Sequence, residues 1–139
     1  MSTRCENWPL VLARFIEAHR DTPFDWQHNN CALFACDWIA QLTDHDPAAS
    51  LRPGITSALS AARVLAAHGG IEAIADAACA AQGWPSCENS FARRGDVVLY
   101  DTDTGPALGV CVGRLSAFAG ADGVTFVNTI STRAAWRIA

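Results

Sequence analysis

The chain has 139 residues, of which 50% are apolar and 17% are charged, and its formal net charge at pH 7 is −4. This size and composition are typical of one globular domain with a substantial apolar core. The acidic balance argues against general nucleic-acid binding, and no apolar run approaches the roughly 20 residues of a transmembrane helix. We therefore expect a single domain over residues 1–139, with no nucleic-acid partner and no membrane span.

The cysteines and the first residues of the chain indicate where the protein is made. The segment Met1–Glu6 lacks the apolar stretch of a signal peptide. Six cysteines occur at wide and irregular spacings, which favours free thiols over a disulfide framework. No Cys-x-x-Cys or Cys-x-x-His pair is present. We therefore predict synthesis in a cytoplasm, no metal site and no cofactor.

Helices are predicted for about residues 7–82, because apolar residues recur there at helical spacing between capping and breaking residues. The second helix is predicted to run through Ala40 and to be ended by Asp44-His45-Asp46-Pro47, and the fourth is predicted to end at Ala81. The four helices are predicted to begin, in chain order, at Asn7, at Asn29 or Asn30, at about Ser57 and at Gly70.

The remaining segment, about residues 94–139, is predicted to form a small antiparallel sheet. Apolar runs at 95–100 and 108–112 indicate two buried strands, and the polar stretch 101–106 between them indicates a turn. A hairpin is expected around the glycines of 120–123, and a closing strand near Trp136. Helices followed by antiparallel strands predict the α+β class.

Cys31 falls in the first turn of the second predicted helix. Free backbone N–H groups and the positive end of the helix dipole stabilise a thiolate at such a position. This is the environment that a nucleophilic cysteine needs. The alternative is that Cys31 is a small buried residue with a structural role.

The capped helix at Cys31 is followed by Gly-Asp-Val-Val-Leu-Tyr at 95–100 and Leu-Gly-Val-Cys-Val-Gly at 108–113. Over residues 8–128 this order resembles the NlpC-type branch of the papain-like cysteine peptidases. The resemblance implies a papain-like α+β fold in which Cys31 has the nucleophile position and Asn30 replaces the usual preceding aspartate. Leu108 stands where the family has its base histidine, and Asn128 is the nearest candidate for the polar residue that orients that base.

A narrower resemblance is to small proteins encoded in phage tail-gene clusters. The shared pieces are Pro-Phe-x-Trp before the cysteine, an Asp-Pro after the helix, a Gly-Gly in mid-chain and Arg-Gly-Asp-Val at the first strand. This resemblance implies a catalytically degenerate structural component of the virion tail tip. Such a protein is made in the host cytoplasm, joins the tail and contacts other tail-tip proteins.

The alternative is an active cysteine peptidase or amidase that cleaves peptidoglycan peptides during genome entry. A thiol needs a base, which would be His28, three residues before Cys31, or a residue supplied by a partner. The other histidines are expected at helix ends or in a solvent loop, namely His19, His45 and His68. Whether the protein is an enzyme stays open at this point.

Two tryptophans lie in predicted loops near the mouth of the expected cleft. Trp26 and Trp84 are candidates for stacking on a sugar or contacting a partner protein, together with Asn30 and Asn128. The alternative for both tryptophans is that they anchor their loops to the core.

Overall fold

The four helices precede the strands in the computed structural model, which describes residues 3–139. Met1 and Ser2, which belong to the predicted domain and to the segment Met1–Glu6 discussed above, lie outside the described residues. The helices are α1 (Trp8–His19), α2 (Cys31–Thr43), α3 (Ala58–Ala67) and α4 (Ile71–Ala81). The strands are β1 (Ser86–Cys87), β2 (Val97–Thr102), β3 (Gly105–Cys111), β4 (Leu115–Gly120), β5 (Gly123–Asn128) and β6 (Ala134–Trp136).

The six strands form one antiparallel sheet with the order β1-β6-β2-β3-β4-β5, so the predicted α+β class is confirmed. The predicted turn at 101–106 is too long, because β2 continues to Thr102 and β3 begins at Gly105. Gly105 has a φ of 121°, which permits a tight reversal that other residues resist. The short strand β1 has no counterpart among the predicted elements.

The helix starts follow the predicted caps with one exception. Ser57 caps α3 through a reciprocal pair of bonds with Ser60, and the Asn30 side chain caps α2. Asn7 occupies the N-cap position of α1, but its side chain makes no capping hydrogen bond. Its backbone is left-handed, with a φ of 61°, a conformation that asparagine tolerates better than most residues.

The main core lies between the helices and one face of the sheet. Phe34, Trp38 and Leu42 of α2 are fully buried there against Leu99 and Val110. Burial of such side chains stabilises the fold by roughly 1.5–3 kcal/mol each. Intervening strand residues face the other side of the sheet and form a smaller cluster of Val98, Cys111, Phe118 and Ala135. Within residues 3–139 no single helix is long and apolar enough to cross a membrane, although α3 and α4 together, across a 59° bend, have the length and composition.

A buried ion pair between Arg4 and Asp96, the residue before β2, lies where both ends of the described chain meet the sheet. Arg4 donates to Asp96 Oδ1 at 2.9 Å, to the carbonyl of Arg94 at 2.8 Å and to the carbonyl of Ile138 at 2.9 Å. Asp96 is 0% exposed and also accepts a backbone N–H from Arg93 at 2.9 Å. Desolvation raises the pKa of the Asp96 carboxyl, although these donors oppose the rise. Gly95 has a φ of 90°, and a Cβ there would lie 2.7 Å from Arg4 Nη1.

Candidate functional site

The side chain of Asn30 links the loop before α2 to the first turn of the helix. Its Oδ1 accepts the backbone N–H of Leu33 at 2.9 Å, and its Nδ2 donates to the carbonyl of Trp26 at 2.8 Å. The turn is held further by a pair of backbone hydrogen bonds between Asp25 and Asn29. Cys31 is therefore fixed as the first residue of α2, where the sequence predicted it.

The thiol of Cys31 lies between the start of α2 and strand β3. Cys31 is partly buried and packs against the main core. Burial raises the pKa of the Cys31 thiol, while backbone N–H groups of Leu108, Ala32 and Cys31 itself act in the opposite direction. Desolvation is the largest of these effects and outweighs the backbone N–H groups.

Leu108 of β3 lies close to the thiol. Its backbone N–H opposes the rise in the pKa of the Cys31 thiol, and the residue is only 5% exposed. The pairing of β3 with β4 comprises Val110 and Cys111 and does not extend to Leu108. At the position where the resemblance expects a histidine, the structure therefore places an apolar side chain that cannot exchange a proton.

His28 lies on the surface, although it is close to Cys31 in sequence. Its side chain is 73% exposed, and Nδ1 lies 3.5 Å from Oδ1 of Asp25. No hydrogen bond joins His28 to Cys31 in the part of the chain that the structure describes. A Cys31–His28 pair therefore does not exist in this conformation.

The other histidines have structural contacts. His19 and His68 lie at the ends of α1 and α3, and each Nδ1 is 2.9 Å from a carbonyl oxygen four residues earlier. The His19 ring also packs on Phe15, with ring centroids 4.3 Å apart. His45 lies near the Trp84 ring, at 6.3 Å between centroids.

The candidate contact residues divide into exposed and buried ones. Trp26 is 43% exposed and packs edge-on against Phe24, with ring centroids 4.9 Å apart. Trp84 is 5% exposed and belongs to the main core, so its predicted role as a partner contact is wrong, and it anchors its loop instead. Its burial follows from tertiary packing that a loop sequence does not reveal.

Asn128 is exposed at the end of β5, opposite Leu115 of β4. Ala119 and Val124 of this hairpin, which pair with each other, pack against the main core. Asn128 lines an open cleft together with Asn89, Ser90, Arg114 and Ile130.

The arrangement offers a thiol and backbone donors but no acid or base. All six cysteines have free thiols. In residues 3–139, no three histidine, cysteine, aspartate or glutamate side chains come together as metal ligands. Around Cys31 the described residues thus supply a thiol and backbone hydrogen-bond donors.

One family model, described as a domain of unknown function, DUF6950, matches residues 3–138. No curated protein sequence matches the chain. The matched residues include all four helices, all six strands and the Cys31 site.

Proposed function

We propose that this chain, which belongs to the DUF6950 family, is a non-catalytic structural module of NlpC-like fold. The family description names no function, so the proposal is made from the site. In this proposal the protein is a component of a phage tail tip. It is made in the host cytoplasm, enters the virion tail and contacts other tail-tip proteins. The phage assignment is supported by the sequence resemblance alone.

The observation that carries the non-catalytic proposal is the apolar surroundings of the Cys31 thiol. Leu108 lies beside the sulfur, and burial raises the pKa of the thiol. A general base contributes roughly 10²–10⁴-fold to an acyl-transfer rate. A site without one is therefore expected to lose most of the activity of a cysteine peptidase.

The arrangement of α2 and β3 supports the NlpC-like fold within the same proposal. The helix that begins at Cys31 packs against β3, and Leu108 lies beside the cysteine. The resemblance implies this juxtaposition of nucleophile helix and base strand. Fold alone does not define function, and the non-catalytic proposal therefore rests on the chemistry of the site.

Alkylation of Cys31 by iodoacetamide is expected to be slow at neutral pH and to accelerate only above the reference thiol pKa of about 8.5. The physical reason is the raised pKa of the thiol, which leaves little thiolate below that range. Modification is followed by mass spectrometry of the Cys31 peptide, with Cys31→Ser as the control that identifies the site.

Rapid alkylation that persists at acidic pH would contradict the non-catalytic proposal. It would instead favour the alternative, a peptidase or amidase that acts on peptidoglycan peptides, and digestion of peptidoglycan with and without His28→Ala would then follow.

The virion assignment requires its own test. An antibody against the chain is expected to label one end of the tail in purified phage particles viewed by electron microscopy. Particles that lack the chain by labelling and by mass spectrometry would contradict the tail-tip role, whatever the state of Cys31.

A further inference from the structure

Arginines that are scattered in the sequence converge at one end of the sheet, beside Trp8. The guanidinium carbons of Arg4 and Arg94 lie 4.4 Å and 5.8 Å from the centroid of the Trp8 ring. Arg93 precedes Arg94 in the chain, and Arg137 lies 3.9 Å from the same Asp96 that binds Arg4. Arg4 and Arg137 thus approach one buried carboxylate, and Arg94 lies over the same ring as Arg4, in a chain whose net charge is −4.

The arginines of this group differ in how many of their hydrogen-bond donors are used by contacts within the chain. Arg4 donates one hydrogen bond to Asp96 and two to backbone carbonyls, so it is part of the scaffold. Arg93 and Arg94 are exposed, and neither forms an ion pair with any residue from 3 to 139. Their donors are therefore available to an external acceptor.

A cleft and a groove meet at these arginines. The cleft has a volume of about 420 Å³ and is lined by Arg4, Trp8, Arg93, Arg94 and Ala139. Arg94 also lines a groove of about 230 Å³ between α1 and the end of β3. The walls of the groove are mainly apolar and comprise Pro9, Leu12, Ala13, Ile16 and Val112, with Glu17 at its edge.

We propose that this cleft and groove together bind a short segment of another protein that carries carboxylates next to apolar side chains. Guanidinium groups bind carboxylates through two parallel hydrogen bonds, and the groove accepts the apolar side chains. Arginine and tryptophan are also the residues that most often dominate the binding energy of protein interfaces. The inference rests on the proposed function, because it names the surface through which a structural module would dock.

A nucleic acid fits this surface less well than an acidic peptide. Binding of a long polyanion requires a basic stripe that follows its phosphates. Here only two of the unpaired arginines, Arg93 and Arg94, lie at the cleft, and the chain as a whole repels negative charge. An acidic segment a few residues long avoids most of that repulsion.

The test uses two fluorescein-labelled peptides of the same composition, Glu-Glu-Gly-Leu-Phe and Phe-Leu-Gly-Glu-Glu, titrated with the full chain at physiological salt. Fluorescence anisotropy is expected to show saturable binding of at least one of them. Arg94→Glu is expected to weaken that binding about tenfold or more. Arg63→Glu, the same charge reversal at an exposed arginine of α3 without an ion pair, is expected to leave it unchanged.

A second variant tests the groove without changing any charge. Ala13 is exposed on α1, and Ala13→Trp fills the groove while leaving the core intact. It is expected to weaken binding of the same peptide, with unchanged circular dichroism. Weakening by Arg94→Glu but not by Ala13→Trp would overturn the assignment of the groove.

Three outcomes overturn the proposal as a whole: no binding of either peptide, equal effects of Arg94→Glu and Arg63→Glu, or tighter binding of a single-stranded thymidine oligonucleotide. Failure here is distinguishable from failure of the proposed function. Slow alkylation of Cys31 together with no peptide binding would contradict the docking surface but not the non-catalytic function. Rapid alkylation of Cys31 together with peptide binding would contradict the non-catalytic function but not the docking surface.

Discussion

Replacement of Asp96 by alanine is expected to lower the free energy of unfolding by about 3–5 kcal/mol. The carboxylate is fully buried and accepts hydrogen bonds from Arg4 and from two backbone N–H groups. Its removal leaves Arg4 partly buried without a counter-charge and the backbone donors without an acceptor. Urea denaturation followed by circular dichroism measures the loss.

The matched control is Asp101→Ala, which removes another aspartate close by in the sequence. Asp101 pairs with Arg133 at 2.7 Å, but both side chains are exposed to solvent. Water and salt screen such a pair, so the loss of stability is expected to be far smaller than at Asp96. Equal losses for the two variants would show that the Asp96 network does not hold the chain ends to the sheet.

Replacement of Leu108 by histidine is expected to raise the rate of Cys31 alkylation at neutral pH roughly 10- to 100-fold. Leu108 lies beside the sulfur, and an imidazole there is expected to form a thiolate–imidazolium pair. The gain in thiolate is large, but the lower pKa also reduces the intrinsic nucleophilicity of the sulfur. Mass spectrometry of the Cys31 peptide over a range of pH measures the change.

Leu108→Gln is the control for this variant, since it adds a polar group of similar size without a base. Both substitutions place a polar side chain in the core, so their effects on stability are expected to be comparable. A folded Leu108→His protein whose Cys31 is as unreactive as in Leu108→Gln would show that residue 108 does not point at the thiol. That result would remove the geometric support for an NlpC-like site.

Local patterns predicted the helices well, because each helix start depends on neighbouring residues. The fourth helix ends at Ala81 as predicted. The second continues past Ala40 to Thr43, where Asp44 adopts a left-handed backbone with a φ of 65° and ends it. The position of Cys31 at the first turn followed from Asn30, whose cap was visible in the sequence.

Contacts between distant parts of the chain could not be predicted in the same way. Arg4 and Ile138 are 134 residues apart in sequence, yet a hydrogen bond joins them. The sequence shows the arginines singly or as one pair, and only the meeting of the chain ends at β2 gathers four of them. The burial of Trp84 and the raised pKa of Cys31 likewise depend on packing between elements, which periodicity does not encode.

The place of β6 in the sheet has a consequence for biosynthesis. Strands β2 to β5 pair with their sequence neighbours, so their hairpins can form as soon as they leave the ribosome. β6 comes after them in the chain but inserts between β1 and β2. Until residues 134–136 emerge, one edge of β2 has no partner, and its backbone can pair with a strand of another nascent chain. Completion of the sheet therefore waits for β6, and the time before β6 is available is when the protein is most exposed to misassembly.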